Sequence, residues 1–426
     1  MRNYDVLIIG TGVAGLFAAL NLSSDKQILI VTKGTLEDND SFLAQGGICV
    51  QRDEMDFEPF LEDTLRAGHY ENNEAAVATM INQSQEIIDD LIDLGVAFDK
   101  KGAGFSYTKE GAHSRARILH CKDMTGKEIN SKLIARVKEL KNVSIFENST
   151  LVDLLVAGDR CHGAVLRDQA GKLSNVYAQS TLLATGGIGG LFSKTTNFAH
   201  LTGDAIAIAL KHGIRVKDLD YVQIHPTSLY TGRSGRAFLM SESLRGEGAI
   251  LVGKDGQRFA DELLPRDLLT KAIYTQMEKD RLPYVRMLLK GHVEGSIAGR
   301  FPGIHAHCLQ EGYDLVEDYI PIVPAQHYFM GGIAVDLNSK TSLANLYAAG
   351  ETSCNGVHGK NRLASNSLLE SLVFSKRAAQ AIDESFQCAL PYPFPEPDAR
   401  SIEAGLKEAN RKLLEEIGIE EEAHAK

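Results

Sequence analysis

The stretch that most constrains this chain lies at its start, where the apolar run Asp5, Val6, Leu7, Ile8, Ile9 leads directly into Gly10, Thr11, Gly12, Val13, Ala14, Gly15 and an apolar helix. Three glycines at this spacing let a strand reverse into a helix, let a backbone approach a pyrophosphate, and let the helix pack closely on the sheet. The helix N-terminus then offers unpaired N–H groups and a partial positive charge to phosphate. Glycine-rich turns also serve as plain strand–helix connections, so the pattern gains force from its context. Residues 27–32 read as a second parallel strand, which makes residues 5–32 one βαβ unit. The reading is a dinucleotide site, with the dinucleotide undecided. The second strand ends in Thr32 and Lys33, where a simple NAD or FAD site places an acid for the ribose hydroxyls.

The 426 residues allow two or three domains, and a hydrophobic content of 44% fills ordinary cores. A net charge of -11 argues against a nucleic-acid partner, which needs a concentrated basic surface. No apolar run reaches membrane-spanning length, and the sequence enters its first strand without a charged leader and cleavable apolar segment. A soluble, cytoplasmic protein without a membrane partner is the expectation. Six cysteines (Cys49, Cys121, Cys161, Cys308, Cys354, Cys388) are scattered without a CxxC pair. They suggest neither a metal or iron–sulfur ligand set nor a disulfide frame, and read as small buried side chains.

Along the chain, a second glycine-rich loop closes in Ser41, Phe42, Leu43, Ala44, Gln45, Gly46, Gly47. Residues 58–67 and 74–94 read as helices, the second stopped by Gly95. A loop dense in ionisable groups follows at 107–117. Thr125 and Glu128 have the spacing of a capping box opening a helix to about Leu140. Strands are expected around 144–147, 150–157, 160–167 and 175–184, the last running into Ala184, Thr185, Gly186, Gly187, with Gly203 and Asp204 opening the next helix. From 219 the βα rhythm gives way to prolines, histidines and arginines until about 330, which reads as an inserted second domain. Strand-to-glycine style resumes at 346–351, and a proline-rich linker leads to a last amphipathic helix at 402–417.

In and beyond the insertion, His225 and His327 flank proline- or glycine-rich turns, and Arg245, Arg266 and Arg362 lie beside proline-, serine- or glycine-containing stretches. Each alone is unremarkable. Together they supply several donors in an acidic chain, as a small dicarboxylate requires, because an arginine fork matches a carboxylate.

Taken in order, the glycines of 10–15, Ala44 to Gly47, Ala184 to Gly187, His225-Pro226-Thr227, Leu244 to Gly248, Pro265-Arg266-Asp267, His327-Tyr328 with Gly331-Gly332, Ala349-Gly350-Glu351 and 362–369 resemble the succinate dehydrogenase and fumarate reductase flavoprotein family. The resemblance covers residues 1 to about 388 and is closest to the family's aspartate-oxidising branch. It implies an α/β fold: a Rossmann-like FAD-binding domain at 1–218 and 330–388, an inserted α+β capping domain at 219–329, and a linker with a short helix at 389–426. Many members of that branch continue into a larger helical C-terminal domain. Functions tied to it are therefore not carried over.

The resemblance implies noncovalent FAD. Its binding residues would be Gly10, Thr11, Gly12, Val13, Ala14, Gly15, Lys33, Asp40, Ser41, Ala44, Gln45, Gly46, Gly47, Asp204, Glu351, Ser367 and Leu368. It also answers the missing acid, since the aspartate-oxidising branch carries a similar Thr-Lys pair. The membrane-complex relatives bond flavin covalently to a histidine at the position of Asp40. For substrate, the resemblance assigns carboxylate binding to His225, His327 and Arg362, with Ser241 and Ser365 as hydroxyl donors. Arg266 would transfer the proton, relayed by Glu242 and Arg245. Glu110 is the discriminating residue, facing a substrate ammonium where the succinate and fumarate enzymes have an uncharged side chain. At 4 Å such a pair gains up to about 4 kcal/mol before desolvation; the plainer alternative is a surface pair with Lys109 or Arg115. The implied reaction is oxidation of L-aspartate to iminoaspartate, which feeds quinolinate and NAD synthesis, with oxygen or fumarate as acceptor and quinolinate synthase as a candidate partner. Which of Glu110, Arg266 or water takes the amine proton stays open. The alternatives are a soluble fumarate reductase or succinate-oxidising enzyme and, more remotely, a noncatalytic flavin-binding redox sensor.

Overall fold

Alternation along the first strand divides the molecule. In a computed structural model that describes residues 2–293, 295–386 and 392–419, Val6 and Ile8 of the strand Arg2–Ile9 enter one core cluster and Leu7 and Ile9 another. Successive side chains of a strand face opposite sides, so its continuous apolar run from Val6 to Ile9 must be covered on both. The helices Val13–Asn21 and Asn366–Ser385 cover one face, and Asp204–Lys211 with Ala399–Ile417 the other. A buried-on-both-faces parallel sheet is the setting in which such continuous apolar runs are stable, each side chain contributing about 1.5–3 kcal/mol.

That sheet has seven strands. Arg2–Ile9 pairs in parallel with Ile28–Val31 on one side and with Leu173–Leu183 on the other. Val143–Phe146 extends the first edge, and Leu346–Ala348 pairs with the end of Leu173–Leu183. The antiparallel strands Arg160–Arg167 and Thr150–Ala157 complete it. The C-terminal ends of the parallel strands therefore meet where the glycine turn begins.

A separate four-stranded antiparallel sheet is formed by Val222–Leu229, Ile320–Phe329, Val285–Leu288 and Ile250–Val252. It packs on its own cluster, which includes Met240, Leu244, Leu269, Ile273 and Met287. The register of Val222–Leu229 shifts between His225 and Ser228, at Pro226, which has no N–H to give to a ladder.

Three local expectations are corrected. Residues 74–94 form two helices, Glu74–Asn82 and Ser84–Asp93; the Ser84 hydroxyl donates to Ile81 O and accepts from Gln51 N, which diverts the chain at Gln83. Thr125 and Glu128 make no capping box. Thr125 Oγ accepts from Cys121 N and donates to Gly46 O at 2.7 Å, while Glu128 accepts from Ala97 N. The last helix starts earlier, at Ala399, because Asp398 caps Ser401 N. Cys49, Cys121, Cys161, Cys308 and Cys354 are free and buried; Cys388 and the start of the expected linker lie outside the described residues.

Candidate active site

The glycine turn is built by close approach. Gly10 has φ +118°, and a Cβ there would stand 1.9 Å from Ala184 O; one on Gly15 would stand 2.2 Å from Gly10 O. Both positions are therefore closed to side chains. Gly12 differs: a Cβ would meet only Ser41 Oγ, at 3.1 Å, and Gly12 lines a cavity. Ser41 Oγ accepts from Val13 N, tying the second glycine loop to the first helix. Gly126 N donates to Ala44 O, and with Thr125 on Gly46 O the start of the helix Thr125–Glu139 clamps this loop from behind.

The cavity, about 1830 Å³ with the open solvent at its mouth, runs without a break from Gly10 to Arg266. The end beside the glycine turn is lined by Gly10, Thr11, Gly12, Ala14, Lys33, Asp40, Ser41, Ala44, Gln45, Gly46, Gly47, Asp204, Glu351, Ser367 and Leu368. Val13 and Gly15 lie behind this surface. Lys33 Nζ bonds Asp204 Oδ2 at 2.8 Å and also donates to His200 O and Thr202 Oγ1. Burial pushes Asp40 up to about 7, and burial together with Asp40 pushes Glu351 up to about 8. Asp40 Oδ2, Gln45 Oε1 and Arg362 Nε are buried without a hydrogen-bond partner. Buried polar atoms need partners, and a glycine whose missing side chain opens onto the same cavity suits a backbone approach to phosphate. The residues present thus fit an elongated, polar dinucleotide such as FAD.

At the far end the cavity is lined by side chains from distant segments: Glu110, His225, Ser241, Glu242, Arg266, His327, Arg362 and Ser365. Arg266 opens the helix Arg266–Asp280, donating from Nε to Glu242 Oε2 at 2.7 Å and from Nη1 to Gln223 Oε1 at 2.7 Å. Gln223 in turn donates to Arg362 O. Burial raises Glu242, but Arg266 and Arg245 outweigh it and hold the carboxyl below its ordinary range. Arg245 lies behind the cavity surface; its Nη2 is 3.4 Å from Glu242 Oε2, within ion-pair reach but not aligned as a hydrogen bond.

The histidines are not cations. Burial and the neighbouring Arg266 hold His225 and His327 well below the ordinary value. The rings meet edge-on at 5.0 Å. His225 Nδ1 lies 3.0 Å from Thr227 O and His327 Nδ1 2.7 Å from Thr196 Oγ1. Both sit on strands, Val222–Leu229 and Ile320–Phe329, as neutral hydrogen-bonding groups. Arg362 lies over the Tyr328 ring at 4.5 Å, and burial then Arg266 lower it to about 10.

Glu110 is 2% exposed, which removes the alternative of a surface pair with Lys109 or Arg115. Its Oε1 accepts from Ser243 Oγ at 2.6 Å and its Oε2 from Ser365 Oγ at 2.7 Å. Burial, then the like charge of Glu242, raises its pKa. The loop carrying it is pinned by fully buried Arg117, which bonds Asp56 at 3.0 Å, Asp63 at 2.6 Å and His113 Nδ1 at 3.1 Å. Burial and Arg117 hold His113 down at about 4, so the neutral ring takes Arg117's proton contact on Nδ1 and donates from Nε2 to Ala364 O. Glu110 and the stretch from Arg362 to Ser365 are thereby held as one unit.

Ser243, Gln223 and Thr196, each bonded directly to a site side chain, were not singled out from sequence. Nothing in their local pattern marks them. Among the described residues no cluster of His, Cys, Asp or Glu could hold a metal ion, and no helix is long and apolar enough to cross a membrane.

A family model described as an FAD binding domain matches residues 5–368. The L-aspartate oxidase of Clostridium perfringens (strain 13 / Type A) is 51% identical over 383 residues, 90% of this chain and 87% of that protein. The L-aspartate oxidase of Neisseria meningitidis serogroup B is 40% identical over 413 residues, covering 94% and 82%. Among solved structures, E. coli quinol fumarate reductase FrdA superposes with a TM-score of 0.85 at 28% identity, over 97% of this chain and 74% of that one. FAD is the cofactor these likenesses carry, and the α/β flavoprotein fold is the one observed. With half its residues shared over nine-tenths of its length with one such enzyme, the chain belongs to the L-aspartate oxidase family of FAD-binding flavoproteins.

Proposed function

We propose that this chain oxidises L-aspartate to iminoaspartate in the first step towards quinolinate and NAD. The observation that carries the reading is Glu110: a second buried carboxyl beside Glu242 on the cavity of Arg266, Arg362 and two neutral histidines, and one that bonds two serines where Glu242 is paired with arginine. A site for a dicarboxylate alone has no use for a third carboxylate, which repels it. A dicarboxylate bearing an ammonium makes that carboxylate favourable.

In this reading, Arg362 and the His225–His327 pair take the two carboxylates. Arginine supplies a charged fork, and the neutral rings add hydrogen bonds without further positive charge. Glu110 takes the ammonium and, with its pKa raised, is matched to accept the proton the nitrogen must lose as the C=N bond forms. Bound FAD supplies the two-electron acceptor for the hydride leaving Cα. It would be held by the glycine turn, Lys33 with Asp204, the Asp40 to Gly47 loop, Glu351 and Ser367-Leu368, without a covalent bond, since Asp40 offers no ring nitrogen. Fixed orientation of the substrate supplies most of the rate.

Arg266, held between Glu242 and Gln223, is the proton donor for the reverse kind of step, reduction of fumarate, with Arg245 balancing Glu242 from behind. This arrangement favours fumarate as an acceptor alongside oxygen. Iminoaspartate hydrolyses readily, so direct passage to a quinolinate synthase in the cytoplasm completes the proposal. Incubating holoprotein with L-aspartate in air tests it: oxaloacetate, ammonium and hydrogen peroxide in equal amounts are expected, and their absence contradicts it.

A further inference from the structure

We infer that Ser243 is a positioning residue for substrate selection, holding Glu110 as an acceptor-only carboxylate turned to an amino-bearing dicarboxylate. The inference rests on the role given above to Glu110. It stands on the direction of a hydrogen-bond chain. Ser243 N donates to Ser241 Oγ at 3.2 Å at the start of the helix Glu242–Gly246, and Ser241 Oγ donates back to Ser243 Oγ at 3.2 Å. The Ser243 oxygen is thus already an acceptor, and its one proton goes to Glu110 Oε1 at 2.6 Å. On the other side Gly47 N donates to Ser365 Oγ at 3.3 Å, whose proton goes to Glu110 Oε2 at 2.7 Å.

Two committed O–H donors therefore face the two oxygens of one carboxyl. An ionised Glu110 accepts both; a protonated one must aim its own proton away from both serines. Distances this short are typical of hydrogen bonds to a charged oxygen. The other groups acting on Glu110 are Glu242, which opposes its charge, Arg266 and Arg245, which favour it, and the buried thiol of Cys49. Burial and Glu242 push the carboxyl up, and the two serines pull it down. Ser365 lines the cavity and Ser243 does not. Removing the Ser243 hydroxyl thus loosens and raises Glu110 without deleting a substrate contact.

The sign follows. Glu110 binds the ammonium when ionised, so affinity for aspartate is present above its pKa and lost as pH falls through it. Loss of a hydrogen bond to a charged group moves that limb up by about one pH unit, which is about tenfold slower reduction below it at subsaturating aspartate. Anaerobic flavin reduction of holoenzyme by L-aspartate across pH reads this directly. In Ser243→Ala the acid limb is expected to move to higher pH, Ser243→Thr to restore it, and the limb of fumarate reduction to move less than that of aspartate. An unmoved limb in Ser243→Ala, or equal movement for both substrates, overturns the inference. Should the alanine variant not fold, Ser243→Cys, a weaker donor of similar size, must shift the limb the same way, and no shift overturns it. A wild-type enzyme that aspartate reduces at no pH overturns the function itself, and the inference with it.

Discussion

The two ends of the cavity are made of different materials. The end at the glycine turn is backbone: a Cβ on Gly10 or Gly15 would stand 1.9 or 2.2 Å from a main-chain oxygen, and two of its carboxyls, Asp40 and Glu351, are pushed towards neutrality. The other end is side chain and charge: Glu110, Glu242, Arg266 and Arg362, buried together, with Glu110 bonded to Ser365 across 255 residues of sequence. A buried charge is stable only when paired and hydrogen-bonded. One end is set by close backbone approach that excludes side chains at Gly10 and Gly15, whereas the other is an electrostatic balance that single hydroxyls can tune.

The largest expected effect falls on the backbone end. Gly10→Val places a branched side chain at φ +118° and into Ala184 O, where strain and overlap exceed about 3 kcal/mol. Purified protein without bound flavin is expected, read from the visible absorbance; a yellow variant with normal flavin content would break the comparison at once.

At the substrate end, loss should be kinetic rather than structural. Arg266→Lys keeps a charge beside Glu242 but cannot reach Gln223 and Glu242 together, and turnover with fumarate should fall by about 10²–10⁴-fold with flavin content kept. Loss of flavin would instead place Arg266 in the cofactor site. Glu110→Gln, nearly isosteric, should raise the aspartate KM about tenfold or more, change fumarate reduction far less, and abolish the rise of that KM as pH falls. Equal losses for both substrates would deny Glu110 its selecting role.

The smallest effect tests the cofactor-end carboxyls. Glu351 sits at about 8 in the folded chain against about 4.3 unfolded. Above pH 4 the unfolded state gains by ionising while the folded state does not, so stability of flavin-free protein should fall as pH rises from 4 through 8. Glu351→Gln removes that loss, and its Tm at pH 8 should exceed wild type by a few degrees; a lower Tm would show Glu351 to be ionised and paired.

What was legible in sequence divides along the same line. The glycine turn, both parallel strands and the loop at Gly46 and Gly47 are local patterns. Their element type follows from residues a few positions apart. The capping reading of Thr125 failed because its hydroxyl is spent on Gly46 O, a contact across 79 residues that outweighs a local cap. Residues 74–94 carry one continuous apolar rhythm, yet Ser84 bonds the strand-side loop at Gln51 and splits the helix. The two histidines and three arginines are legible as carboxylate donors in an acidic chain, whereas Glu110, Ser241, Glu242 and Ser365 are implied only by the resemblance. Ser243, Gln223 and Thr196 were missed because a serine, glutamine or threonine acquires its role only from the distant partner it meets. Neutral rather than charged histidines were likewise invisible until the burial of His225 and the neighbouring arginines were seen.

The central claim is that the charged end selects an amino-bearing dicarboxylate. Anaerobic titration of the holoprotein with L-aspartate and, separately, with succinate tests it most directly. Aspartate is expected to bleach the flavin, and succinate at equal concentration to do so far more weakly; bleaching by succinate with none by aspartate would deny that selection.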